Sequence, residues 1–182
     1  MKGLVFVEFV EFVEQEYSLE MVDRIIDNSA LASGGAYTSV GVYDHREMFE
    51  LVGQLSRETG VSEGDLLTVF GRHTFGRFLD RFPELFEGVD SAVEFLRSIE
   101  DYIHVEVKKL YPDAELPTFT YEPSEPGSLA MVYQSPRCLA DFAKGLIAGC
   151  VDHFGSPMDV DMTPLADDHS VVRFIVRPRA GS

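Results

Sequence analysis

Tyr102-Ile103-His104-Val105-Glu106-Val107-Lys108-Lys109-Leu110-Tyr111 and, further on, Tyr133-Gln134-Ser135-Pro136-Arg137 organise the reading of this chain. Leu96, Ile99, Ile103, Val107 and Leu110 recur at helical spacing, so the first segment is predicted as the end of an amphipathic helix. His104 stands beside Ile103 and one turn before Val107, which puts an imidazole at the edge of the apolar face. The second segment carries a phenol, a hydroxyl and a guanidinium on alternate residues. In an extended strand all three point the same way. Such a row of donors, with arginine supplying charge and fork geometry, is a receptor for carboxylates.

Singly, each half has a plainer explanation. A lone histidine on an apolar helix face is more often a hydrogen-bonded core residue, and a Tyr-x-Ser-x-Arg strand is more often a solvated face. Together they describe a receptor for an apolar disc with a metal at its centre and carboxylates at its rim. Haem has that form, with the histidine as axial ligand and the strand holding the propionates.

The chain resembles the haem–nitric oxide/oxygen binding domains, the H-NOX family, which includes the sensory domain of soluble guanylate cyclase. The likeness rests on the opening Met1-Lys2-Gly3-Leu4-Val5, the Gly71-Arg72 step, His104 in its helix, and Tyr133-x-Ser135-x-Arg137. It covers Met1 to about Arg177 and is of the bacterial stand-alone type. The resemblance implies His104 as the proximal iron ligand, Tyr133, Ser135 and Arg137 on the propionates, and Pro117 pressing on the porphyrin and bending it. Val5, Phe9, Thr74, Phe78, Phe142 and Leu146 would line the haem, which would be haem b. The implied fold is α+β. A helical N-terminal part packs on a C-terminal part with a small antiparallel sheet and one helix, and the haem is buried between them.

Composition bounds the rest. At 182 residues, one domain over residues 1–178 with a frayed tail from Arg179 to Ser182 is expected. Hydrophobic content of 45% and charged content of 25% are ordinary for a globular protein. The 14 Phe without any Trp suit an interior shaped around a flat aromatic ligand, and equally an aromatic core. A formal net charge of −16 argues against nucleic acid and against anionic membrane surfaces. No apolar run reaches the length of a membrane span and no secretory leader is recognisable, so a cytoplasmic protein is expected. Cys138 and Cys150, placed on one helix, would be about 18 Å apart and unable to bridge. Some bacterial relatives carry a zinc site of Cys and His near the C-terminus; here only His169 and Ser170 stand there, so no zinc is expected.

In chain order, helices are predicted over residues 2–17, with strand as the rival for Val5–Phe9, and over Leu19–Asn28, capped by Ser18. The next begins at Tyr43-Asp44, with Asp44 and Glu47 as a capping box, and ends at Gly60. Ser62 caps a helix that stops before Pro83. Its nearly uncharged face, Leu67, Phe70, Gly71, Thr74, Phe75 and Phe78, packs on a helix or a ligand; Gly71 admits a close approach of either. Asp90 opens the His104 helix, continuous to Tyr111. Pro117–Tyr121 and Leu129–Tyr133 form a hairpin. A helix over Leu139–Phe154 and strands over Met158–Thr163 and Val171–Val176 complete the order. Gly34-Gly35 lacks the spacing of a phosphate loop.

Function turns on what the distal side lacks. Iron-bound dioxygen gathers negative charge and gains from a hydrogen-bond donor; nitric oxide needs little help. Oxygen-binding relatives place a tyrosine on the helix after the propionate arginine, and the matching position here is Phe142. The partner positions that the resemblance implies are Phe9 and Thr74, and of these only Thr74 could donate, at short reach. The expectation is a sensor of nitric oxide, and of carbon monoxide, that discriminates against dioxygen. It would signal by release of His104 and movement of its helix to a separate partner, a histidine kinase or a cyclic-di-GMP enzyme. An oxygen-binding or haem-carrying module without signalling, and a peroxidase-type enzyme, stand as alternatives. Arg72 and His73 are the candidates for peroxidase chemistry, but His73 falls off the pocket face, so no enzyme is expected.

Overall fold

The computed structural model describes residues 1–179; Ala180, Gly181 and Ser182, most of the expected frayed tail, lie outside the described residues. Arg179 itself is held, its N–H donating to Pro157 O at 2.8 Å and its Nε to Asp159 Oδ1 at 2.9 Å. Residue contacts divide the chain into two compact units, Met1–Phe70 and the part from Gly71 onward.

The first unit is helical: α1 (Gly3–Glu16), α2 (Leu19–Asp27), α3 (Arg46–Thr59) and the start of α4 (Glu63–Arg81). Helix prevails over strand at Val5–Phe9 because Phe6, Phe9, Phe12 and Val13 fall on one face only at a 3.6-residue period, and all four are buried. Phe9, Phe12 and Phe70 form an aromatic knot with ring centroids 5.1–6.3 Å apart. Ser18 caps α2 by accepting from the Met21 N–H at 3.2 Å. Gly60 ends α3 with φ of 74°, the left-handed region that glycine enters without strain. Gly3 is required by space, because a Cβ there would lie 1.9 Å from Thr38 O.

One expectation in this unit is corrected. Asp44 does accept from the Arg46 N–H at 3.0 Å, but Glu47 does not complete a capping box. Its carboxylate is buried and turns to Ser33, whose N–H and O–H both donate to it, and to the Tyr37 hydroxyl. Tertiary donors outcompete the local cap.

The second unit combines helices with a four-stranded antiparallel sheet. After α4 come a 3₁₀ turn (Pro83–Phe86), α5 (Ala92–Arg97), a π-helical turn (Ile99–Ile103) and α6 (His104–Leu110). The strands are β1 (Thr118–Glu122), β2 (Leu129–Gln134), β3 (Met158–Pro164) and β4 (Val171–Pro178), in the order β1-β2-β4-β3, with α7 (Ala140–His153) between β2 and β3. β4 buries Val172, Phe174 and Val176 on one face. They join Phe75, Phe95, Phe119, Met131, Tyr133 and Ile147 in one core. The α+β class expected from the sequence holds.

Gly71 meets a helix. A Cβ there would lie 2.3 Å from Phe142 O and 2.8 Å from the Gly145 Cα, so the α4 backbone sits directly on α7. Cys138 is not on α7 but in the preceding turn, at φ of 54°, so the axial-distance argument against a disulfide does not apply to it; both thiols are free. Burial pushes the Cys150 thiol up to about 12. Among the described residues no helix is long and apolar enough to cross a membrane.

Candidate functional site

The His104 helix is not continuous. Ser91, not Asp90, caps its first piece by accepting from the Glu94 N–H at 3.2 Å, and α5 ends at Arg97. Tyr102 N–H and Ile103 N–H both reach Ser98 O, at 2.9 and 3.1 Å, so the next turn is one residue wider than α. The interruption leaves the Leu96 carbonyl to an outside donor. Tyr121 on β1 supplies it, its hydroxyl donating at 2.7 Å, and burial pushes that phenol up to about 12. His104 is the first residue after the wide turn.

Its Nδ1 lies 3.1 Å from Glu100 Oε1, and the same oxygen accepts from the Phe119 N–H at 2.7 Å. That oxygen acts as an acceptor toward the amide, so the proton is assigned to Nδ1, which leaves Nε2 its lone pair. Burial lowers the pKa of His104, against the opposing pull of Glu100. The imidazole so assigned presents one ligand atom, Nε2. It lines a cleft of about 160 Å³ together with Glu100, Val105, Lys108, Leu116 and Pro117. The two residues expected on the proximal side, His104 and Pro117, therefore line the same cleft.

Tyr133, Ser135 and Arg137 do not form an extended row. Only Tyr133 is in β2; Ser135 to Arg137 turn, with Cys138 N–H donating to Ser135 O at 3.3 Å. The Ser135 N–H still donates to Ser170 O at 2.9 Å, in register with the pairing of β2 and β4, and the chain turns out at Pro136, which has no N–H to continue the ladder. The turn still gathers the three. Ser135 Oγ accepts from the Arg137 N–H at 3.2 Å. Burial raises the Tyr133 phenol, opposed by hydrogen bonds involving Ser135 and the Leu139 backbone. The Arg137 guanidinium, 12% exposed, forks onto the carbonyl and the carboxylate of Glu115.

The remaining expected haem-lining residues are placed as follows. Thr74 is fully buried on α4, and Phe78 lies a turn further, 6.2 Å from the Phe82 ring. Phe142 and Leu146 lie on α7, where their backbone faces Gly71. Phe9, fully buried, and Val5, half-buried, belong to α1 of the first unit.

Sequence reasoning missed Glu100, Tyr121 and Glu115. Glu100 was within reach, since it precedes His104 by one helical turn. Nothing local marks the other two.

The donor set fits haem on its own geometry. An imidazole braced at Nδ1 has Nε2 left for a metal, and a guanidinium fork already grips a carboxylate, the group a propionate would present. The Haem-NO-binding family profile matches residues 2–162. The chain is 42% identical to the unliganded ferrous H-NOX protein of K. algicida, with 100% of this chain and 98% of that one covered at a TM-score of 0.94. The H-NOX of Shewanella woodyi, solved bound to IWP-051 in its Fe(II)CO state, is 36% identical, with 100% and 97% covered at a TM-score of 0.83. A variant of the S. oneidensis H-NOX protein shares the fold at 23% identity, with 100% and 98% covered and a TM-score of 0.89. No curated protein matches the chain. The chain belongs to the Haem-NO-binding, or H-NOX, family of haem-binding gas-sensor domains.

Proposed function

We propose that this chain is a nitric oxide sensor, its haem b held by His104 Nε2, with residues 1–178 acting as one cytoplasmic domain without a zinc site. Tyr133, Ser135 and Arg137 would hold the propionates, Pro117 would bear on the porphyrin, and Val5, Phe9, Thr74, Phe78, Phe142 and Leu146 would surround it. When bound, haem would supply a ferrous iron able to bind nitric oxide or carbon monoxide, with His104 Nε2 as the residue atom that would hold it. The chain's own part is to present a neutral Nε2, to keep strong donors away from the gas, and to move when the imidazole is released. The break between α5 and α6 supports that last role, because a helix interrupted at His104 can shift its second half without carrying the first. The moved helix would be read by a separate histidine kinase or cyclic-di-GMP enzyme, and the chain itself would catalyse nothing.

The observation that carries this reading is His104, beside Pro117, with Nδ1 engaged by Glu100 and Nε2 left for iron. The carbon monoxide state of the S. woodyi relative supports carbon monoxide as one of the gases. Discrimination against dioxygen rests on Phe142 and on the lack of any tyrosine from Leu139 to Phe154. The test is absorbance of the purified full chain given haem. We expect a Soret band that shifts with nitric oxide and not with air, and that is lost, or no longer retained through gel filtration, in His104→Gly. A colourless chain, or a His104→Gly variant with unchanged haem affinity, would overturn the assignment. Phe142→Tyr should improve dioxygen binding by about tenfold, the worth of one hydrogen bond; no change would place the distal wall elsewhere.

A further inference from the structure

Glu100 has a role that an ordinary helical ion pair does not explain. Its carboxylate is fixed from outside the helix. β1 is an edge strand, and the outward N–H of Phe119 donates to Glu100 Oε1 at 2.7 Å. The same oxygen meets His104 Nδ1 at 3.1 Å. A glutamate on a solvated helix rotates freely and grips its neighbour weakly. One anchored by a backbone amide offers its oxygen from a set direction. The imidazole ring plane, and so the direction of Nε2, follows from that anchor.

We propose that Glu100 is the positioning residue of the axial histidine: anchored by Phe119, it holds the Nδ1 proton of His104, directs Nε2 to the iron and strengthens it as a donor. This rests on the haem reading above. The electronic part follows from charge. An anionic acceptor at Nδ1–H pushes electron density toward Nε2 and tightens its bond to a metal. The mechanical part follows from connectivity. Phe119 pairs with Tyr133 across β1 and β2, so one carboxylate links the axial ligand to the strand that begins the propionate turn. An imidazole let go by the metal stays tied to β1 through Nδ1. Glu100 therefore sets both the ease of release and the first element to feel it.

The test uses the haem-loaded full chain and its Glu100→Gln and Glu100→Ala variants. The readout is the iron–histidine stretching frequency by resonance Raman of the ferrous, unliganded protein. The frequency is expected to fall in both variants, and the share of histidine-released complex formed with nitric oxide is expected to rise. Glu100→Gln retains an oxygen for the Phe119 amide, so it carries the test should Glu100→Ala not fold. Glu106→Gln, which removes a carboxylate paired with Lys109 on the same helix, is expected to leave the frequency unchanged. An unchanged frequency in Glu100→Gln, or an equal fall in Glu106→Gln, overturns the role of Glu100 while the proposed function stands. A chain that takes up no haem overturns both.

Discussion

Glu47 in the first unit and Glu100 in the second are alike in kind and different in consequence. Glu47 is buried and Glu100 is partly exposed, but each accepts a backbone N–H from a distant segment, Ser33 in one case and Phe119 in the other. Around Glu47 the remaining donors are the Ser33 and Tyr37 hydroxyls, which end there. Burial, and next to it the carboxylate, raises the Tyr37 phenol well above its ordinary value, so it stays a neutral donor. Around Glu100 the other donor is an imidazole, whose second nitrogen makes no hydrogen bond among the described residues. A carboxylate whose donors all terminate contributes to stability alone. One whose donor has a second, unused end can transmit an effect to whatever binds that end.

Breaking the closed network should give the larger change in stability. Glu47→Ala leaves the Ser33 N–H and two hydroxyls without their acceptor, and the cost of such buried groups is about 1–3 kcal/mol. Chemical denaturation should show a loss of about 2 kcal/mol, with the haem absorbance and iron–histidine frequency unchanged. Glu100→Gln should do the reverse, moving the spectrum with little change in stability. A Glu47 variant that altered the iron–histidine bond would erase the contrast.

Glu115 is an intermediate case that sharpens it. This carboxylate is 84% exposed yet occupies the Arg137 fork. If that fork serves a propionate, Glu115 competes for it. Glu115→Gln should then slow haem transfer to a scavenging protein by up to about fivefold, equivalent to the roughly 1 kcal/mol ceiling of an exposed ion pair. Arg137→Ala should speed it. Faster loss in Glu115→Gln would mean the glutamate holds Arg137 in place instead of competing with haem.

Sequence alone conveyed the elements far better than the contacts between them. The caps at Ser18 and Ser62, the stop at Gly60 and the hairpin up to Tyr133 were legible because local chemistry decides each of them. The wide turn before His104 was not, since it adds a single residue to a helix whose apolar spacing hardly changes. The extended row at Tyr133, Ser135 and Arg137 failed because the chain turns at Pro136 and Arg137, with the Cys138 N–H closing back on Ser135 O. Glu47 was misread because its donors lie in a preceding loop. His104 and Tyr133 could be singled out from their residue types; the carboxylate that braces the histidine needed the backbone of β1.

The smallest expected effect concerns a carboxylate at the opposite limit from Glu47. Glu122 on β1 takes the Arg173 guanidinium of β4 in a bidentate pair at 2.7 and 3.1 Å, reaching across β2 with both side chains 37% exposed. The hydrogen bonds from Arg173 hold Glu122 below its ordinary 4.5. A depressed folded-state pKa means the contribution is fully present above that ordinary value and is lost as pH falls through the depressed one. Arg173→Gln should therefore reduce stability slightly at pH 7 and by progressively less as the pH is lowered through the carboxylate range, where the two unfolding curves should merge. Added salt at neutral pH should shrink the same gap, because an exposed pair is screened. A gap that persisted in acid would mean that Arg173 contributes through its packed stem across β2 and not through its charge.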